Sequence, residues 1–151
     1  MPTLSIQSNE KDGIFYLSGE IDAHTDLSVL FDSQEDNLTL NLKGVTNIYS
    51  IGAKKWLEGV RALRRSGKGL IYIECSEIFV EFFNISPAFT QDVRIQSFEV
   101  AFMCESCDQY KSQMIVLDNN LAFEQPTVVC PQCGTEMITE EEDVFRFLEN
   151  L

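Results

Sequence analysis

Two cysteine pairs, CESC at residues 104–107 and CPQC at residues 130–133, constrain this chain more than any other feature. Twenty-two residues separate the pairs. Four thiolates at this spacing can close a tetrahedron around Zn²⁺, and a four-sulfur shell leaves no open position for water or substrate. A fold of this chain is therefore expected to bring one set of side chains to a single point: Cys104, Cys107, Cys130 and Cys133.

Two disulfides and a thioredoxin-like redox pair are the alternatives for these thiols. Disulfides belong to oxidising compartments, and the opening residues MPTLSIQSNEKDG lack the basic start and apolar core of an export signal. A redox site needs only one CxxC, placed at the start of a helix after a strand. We therefore expect a structural zinc site, and we expect the isolated Cys75 to be a small buried residue.

The segment between the pairs has the pattern of a hairpin, with residues 113–117 and 127–129 as its arms. We call each CxxC pair with its turn a knuckle. In the second knuckle, CPQCG, Pro131 and Gly134 suit a tight chain reversal. Residues 101–139 resemble a zinc ribbon, a family whose members often bind nucleic acid or another protein. Five acidic residues against Lys111 alone argue against nucleic acid. We expect a metal-stapled hairpin, with protein docking as the alternative role.

Net charge restricts the partners of the whole chain. A charge of −13 over 151 residues repels phosphate backbones and anionic lipid, and no window approaches about 18 uninterrupted apolar residues. We expect a soluble, cytoplasmic protein that binds neither nucleic acid nor membranes. Six of the eleven basic residues fall within residues 54–68, where Glu58 is the only acid. That stripe is either a solvated helix face or a docking surface for an acidic partner.

Hydrophobic periodicity predicts a mixed α/β fold before the first cysteine. Strands are predicted at residues 3–7, 14–18, 38–42, 48–52, 70–74 and 93–103, the first two as a hairpin and the last with a bend. Helical spacing predicts a short helix capped by Asp22 or Thr25, a long helix from Ala53 to the Ser66-Gly67 stop, and a helix that Ser76 caps and that ends before Pro87. Thr139 and Glu142 have the spacing of a capping box, which predicts a C-terminal helix that docks one face on the domain through four apolar residues: Val144, Phe145, Leu148 and Leu151.

Two short motifs add a resemblance to this pattern. GEIDAHT begins at Gly19, and NLKGVTNIYSIG runs from Asn41 to Gly52. Together they resemble the STAS domain, the fold of bacterial anti-sigma factor antagonists, in which a GELD-type turn follows the second strand and a (D)SSG motif leads into the next helix. The resemblance covers about two-thirds of the chain and implies a mixed sheet with helices packed on it.

The resemblance also implies site residues. The first Ser of the antagonist motif is phosphorylated by a partner anti-sigma kinase, and the Asp of the GELD turn lies close by and supports the reaction. Ser50 thus corresponds to the phosphorylated residue and Asp22 to its neighbour, whereas Tyr49 and Ile51 depart from the motif. From the residues alone, Ser50 is equally consistent with an ordinary helix N-cap. The remaining candidates for partner binding are His24, Thr25, Lys54 and Lys55.

The sequence therefore predicts three parts: a STAS-like domain at 1–100, a zinc ribbon at 101–139 and a short C-terminal helix at 140–151. We expect a non-enzymatic regulatory module that binds a protein partner, in the antagonists a kinase-like ATPase, with phosphorylation at Ser50 as the switch. The alternative is a zinc-ribbon scaffold, or a protein that binds small molecules or uses redox-active thiols. The chain offers no Gly-rich phosphate loop, HExxH or GxSxG motif for that alternative.

Overall fold

The computed structural model describes residues 4–9, 11–33, 35–118, 123 and 125–151. The first of its two sheets holds five strands in the order β1 to β5. Three helices connect the parallel strands of that sheet: α1 (Ser28–Phe31), α2 (Ser50–Arg65) and α3 (Glu77–Ile85). The strands are β1 (Ser5–Asn9), β2 (Ile14–Ile21), β3 (Asn37–Ile48), β4 (Gly69–Ile73) and β5 (Arg94–Ile95).

Strand directions confirm the predicted mixed α/β class. The strands β1 and β2 pair antiparallel as a hairpin, whereas β2, β3, β4 and β5 are parallel to one another. Parallel neighbours cannot be joined by a tight turn, so a crossover connection must lie between them. One α-helix occupies each of the three crossovers, and α2 is the longest at 16 residues.

Two local predictions in this domain are wrong. Residues 38–42 and 48–52 are not two strands around a turn, because residues 37–48 form the single 12-residue strand β3, which absorbs extra residues at two register shifts against β2. The first helix is only the four residues of α1, and neither Asp22 nor Thr25 caps it; Asp26 Oδ1 accepts the N–H of Ser28 at 3.0 Å instead. Ser76 does precede α3, but its hydroxyl caps no N–H group.

The second sheet has three strands in the order β7-β6-β8: β6 (Ser97–Met103), β7 (Tyr110–Val116) and β8 (Ile138–Thr139). The bend predicted in the strand at 93–103 lies between β5 and β6, which belong to different sheets. The domain boundary predicted at residue 100 falls inside β6. The predicted hairpin arms do not pair with each other, because β7 pairs with β6 while Val129 forms a single bridge with Glu136. Cys75 bridges Phe98, which joins this sheet to the end of β4.

The C-terminal segment packs on α3, although not as the predicted helix. Thr139 lies in β8 and caps nothing; the only helical turn described after it is a 3-10 helix at Arg146–Asn150. Asn84 on α3 holds the segment with two hydrogen bonds, from its Nδ2 to the carbonyl of Val144 and from the N–H of Phe147 to its Oδ1, both at 2.8 Å. The most buried side chain of the segment is Phe147, at 1% exposure, and the four predicted apolar residues pack partly buried around it.

One continuous core joins the two sheets. Its centre is a set of contacting aromatic rings on α2, β4, α3, β6 and the C-terminal segment: Trp56, Tyr72, Phe79, Phe83, Phe98 and Phe147. Trp56 Nε1 donates a buried hydrogen bond to Tyr72 Oη at 3.2 Å. Cys75 is fully buried in the same core, as expected, and burial raises the pKa of its thiol. Among the described helices, none is long and apolar enough to cross a membrane.

Candidate metal centre and the surface around Ser50

The two cysteine pairs converge on one point of the structure. The sulfur atoms of Cys104, Cys107, Cys130 and Cys133 all lie within 4.8 Å of one another. The Sγ atoms of Cys104 and Cys133 are 3.5 Å apart, too far for a disulfide bond, and none of the four cysteines is in a disulfide.

The two knuckles share one backbone geometry. In the first, the N–H of Cys104 donates to the carbonyl of Gln109 at 2.9 Å; in the second, the N–H of Cys130 donates to the carbonyl of Thr135 at 2.9 Å. Each turn needs a positive φ at the same place, supplied by Asp108 at 55° and by Gly134 at 76°. The two turns therefore follow the same backbone course, and the Gly in CPQCG lies where its conformational freedom is used.

These four sulfurs fit a tetrahedral metal ion. Zn–S bonds of about 2.3 Å place the sulfurs of such a site about 3.8 Å apart, within the spread that this cluster has. Cys104 and Cys130 are fully buried against the core, whereas Cys133 is exposed. Hydrogen bonding to Thr135 lowers the pKa of Cys133 to about 6, whereas hydrogen bonding to Cys133 raises the pKa of Cys107 to about 12. Of these two thiols, Cys133 therefore becomes a thiolate more readily. The cluster therefore has the donor atoms and the spacing to hold a metal ion.

Ser50 lies on a different part of the molecule, at the first residue of α2. Its side chain is exposed, and no side chain caps the start of the helix. Ser50 is therefore not an ordinary N-cap in this structure. The preceding Tyr49 N–H donates to the carbonyl of Ile21 at 2.9 Å. Gly52 lies so close to Ile21 that a Cβ at this position would be 2.3 Å from the same carbonyl oxygen. Ser50 is thus held beside the turn that begins at Asp22.

The turn after β2 is built by its own polar side chains. The N–H of Asp22 donates to Thr25 Oγ1 at 2.8 Å, and Asp22 Oδ1 accepts the N–H of His24 at 2.9 Å. Thr25 is buried, Asp22 is half-buried and His24 is exposed. Of these three predicted partner-binding residues, Thr25 shapes the turn and His24 offers its side chain to solvent.

The two lysines of the first turns of α2 differ in the same way. Lys55 Nζ donates to the carbonyl oxygens of Ala23 and Thr25, at 2.7 and 3.1 Å, and so ties the helix to the turn. Lys54 is exposed. The structure therefore brings all six predicted partner-binding residues into one region, with Lys55 and Thr25 used internally.

Two apolar side chains at this surface were not among the predicted binding residues. Tyr49 is 49% exposed and Ile51 is 62% exposed, and they flank Ser50 in the chain. A hydrogen bond between the Tyr49 hydroxyl and Glu20 raises the pKa of Tyr49. One signal in the sequence pointed to this exposure: Tyr49 and Ile51 are apolar at positions where the (D)SSG motif of the antagonists has polar residues.

Comparison with known proteins adds no family to these observations: no protein-family model matches the chain, and the search of curated proteins returned no match.

Proposed function

We propose that this chain is a non-enzymatic, cytoplasmic regulatory module of the anti-sigma factor antagonist type, with a STAS-like domain that binds a protein partner and a structural zinc site. The partner surface consists of His24, Tyr49, Ser50, Ile51 and Lys54. The partner is a kinase-like ATPase, and phosphorylation of Ser50 controls its binding.

The observation that carries this proposal is the placement of Ser50. An exposed hydroxyl stands at the first residue of a 16-residue helix, against the turn of Asp22, between two exposed apolar side chains. Exposed apolar residues beside polar ones are typical of protein-binding surfaces rather than of catalytic clefts. Ser50 is accessible to a modifying enzyme without any change of the fold.

Charge is the means of switching. A phosphate on Ser50 would lie at the positive end of the α2 dipole, near the free N–H groups of the first helical turn, which stabilise it. The same group adds a charge of about −1.5 to −2 to the centre of the surface. A partner that docks there with the unmodified hydroxyl must then accommodate a dianion, so its affinity falls.

The test uses tagged full-length chain expressed in its native cells. Phosphate at Ser50 is sought by mass spectrometry, and the proteins recovered with the parent chain are compared with those recovered by Ser50→Asp and Ser50→Ala. We expect a kinase-like ATPase with the parent and with Ser50→Ala, and about tenfold less of it with Ser50→Asp.

The matched control is Ser8→Asp, which adds the same charge at an exposed residue of β1. Ser8 pairs with Phe15, near the opposite end of β2 from Ile21. Equal recovery of every partner by Ser50→Asp and Ser8→Asp, together with no phosphate on Ser50, would remove the switch from the proposal.

The identity of the metal is tested separately. We expect one Zn²⁺ per chain by elemental analysis, and thiols that resist alkylation until a chelator is added. Cys75 is the internal reference because it is buried outside the cluster. Immediate alkylation of the pair Cys130 and Cys133 in freshly purified protein would favour the alternative, redox-active thiols.

A further inference from the structure

The outer face of the second sheet is partly exposed and partly apolar among the described residues. Along β6, Phe98, Val100 and Phe102 point into the core, so Glu99, Ala101 and Met103 lie on the other face. Register then aligns one residue from each strand in a row across this outer face: Tyr110, Met103 and Ile138. Tyr110 is 62% exposed and Ile138 is 46% exposed. A row of large apolar side chains therefore faces solvent beside the first cysteine pair.

A cavity of about 440 Å³ borders β6 at Glu99, Val100 and Ala101. Glu99 and Ala101 form part of its lining, α3 forms one wall and the segment at residues 140–146 forms the other. Residues 101 and 103 lie on one face of one strand, so the apolar row begins two residues further along β6 than the lining of the cavity. We refer to the cavity and the row together as the groove, which is acidic at one end and apolar at the other.

The charge of the groove is one-sided. Its lining includes one guanidinium, that of Arg146, and seven carboxylates: Glu77, Glu81, Glu99, Glu140, Glu141, Glu142 and Asp143. Desolvation and the neighbouring carboxylates raise the pKa of Glu81, and desolvation is also the largest cause that raises the pKa of Glu99. These carboxylates therefore repel one another in the folded chain, and a cation in the groove relieves that repulsion.

We propose that this groove docks a basic segment of another protein, with Lys or Arg side chains over the acidic end and an apolar side chain on the row of Tyr110, Met103 and Ile138. Charge complementarity selects this occupant: nucleic acid and anionic lipid are repelled, and a second copy would bring a further net charge of −13. The docking surface lies apart from Ser50, so it does not depend on the function proposed above.

The probe is a fluorescein-labelled peptide of eight residues that alternates Lys and Leu, titrated with full-length chain and followed by fluorescence anisotropy. We expect saturable binding that weakens with salt. The double variant Glu81→Gln with Glu141→Gln is expected to weaken it about fivefold, since each removed carboxylate loses one exposed ion pair. The variant Ile138→Ser is expected to weaken it as well.

The matched controls change equal charge and equal apolar area elsewhere. Asp32→Asn with Glu35→Gln also removes two exposed acids, and Val29→Ser removes an apolar side chain that is 55% exposed. If the charge controls weaken the peptide as much as the groove variants do, the attraction is general and the proposal is overturned. Absence of saturable peptide binding also overturns the proposal. A third refuting result is a salt-sensitive oligomer of the chain that the double variant Glu81→Gln, Glu141→Gln dissociates, because the groove is then occupied by a second copy.

Discussion

Replacing Gly52 by Ala should push α2 away from the end of β2. A Cβ at this position would lie 2.3 Å from the carbonyl oxygen of Ile21 and 2.7 Å from the nitrogen of Asp22. The first distance is about 1 Å shorter than the 3.4 Å at which ordinary contact begins. Both neighbours are backbone atoms of a paired strand and its turn, so neither can rotate aside, and the helix must move instead.

The magnitude follows from two opposing terms. Overpacking of this kind lowers the free energy of unfolding by up to about 3 kcal/mol, whereas the higher helix propensity of Ala raises it by at most about 1 kcal/mol. We expect a net loss of about 2 kcal/mol in the free energy of unfolding. With a urea dependence of about 2 kcal/mol per molar, the unfolding midpoint falls by about 1 M.

Gly59→Ala is the matched control because it makes the same change in the same helix. Its Cβ would lie 1.9 Å from Cζ of Phe31, an atom that does not move when the ring turns about its own axis, so the half-buried side chain must leave its position and a loss of about 1 to 3 kcal/mol is expected. The obstacle is a side chain and not the backbone of β2, so the hydrogen bond from Tyr49 to Ile21 should be unaffected. A Gly52→Ala protein at least as stable as the parent would refute the close approach of helix and strand. The same experiment reports on the candidate surface, since the N–H of Tyr49 should lose protection from hydrogen exchange when its bond to Ile21 lengthens.

Three further changes test the core and the groove. Tyr72→Phe leaves the buried indole N–H of Trp56 without its acceptor and should cost about 2 kcal/mol in urea unfolding; an unchanged midpoint would contradict the bond. Phe147→Ala should cost about 3 to 4 kcal/mol, whereas Glu149→Ala at an exposed position should change little. Because the pKa of Glu81 is raised in the folded chain, its ionisation lowers stability as pH rises through that pKa. Glu81→Gln should therefore be more stable than the parent at neutral pH, and this advantage should vanish below the unfolded pKa near 4.5; equal stability of both at every pH would contradict it.

Several local features were predictable because they depend on neighbouring residues alone. Alternation in the β2 and β4 segments and the apolar stripe from Ala53 to Leu63 match the observed strands and α2. The end of α3 before Pro87 followed from the restriction that proline imposes on the residue before it. The closeness of Asp22 to Ser50 was expected from the resemblance rather than from any pattern of spacing.

Two of the wrong predictions share one physical cause. Residues 43–47 (KGVTN) separate the two strands predicted at 38–42 and 48–52, yet they lie inside β3 because pairing with β2 overrides the local preference. The capping-box spacing of Thr139 and Glu142 failed because Thr139 pairs with Phe102. In each case a distant strand satisfied the backbone groups that a local turn or cap would have satisfied.

The sequence by itself determined which residues are chemically able to meet: two CxxC pairs with the spacing of one metal site, a net charge of −13 that repels other anions, and the buried stripe of the longest helix. Only the tertiary structure decided where those features lie. Contacts between residues far apart in the chain decide which strand pairs with β7 and which side of β6 faces solvent. Such contacts also bring Glu99 and residues 140–143 to the border of one groove. Periodicity specifies the face that a segment buries, but the partner it buries that face against is chosen by the packing of the whole core.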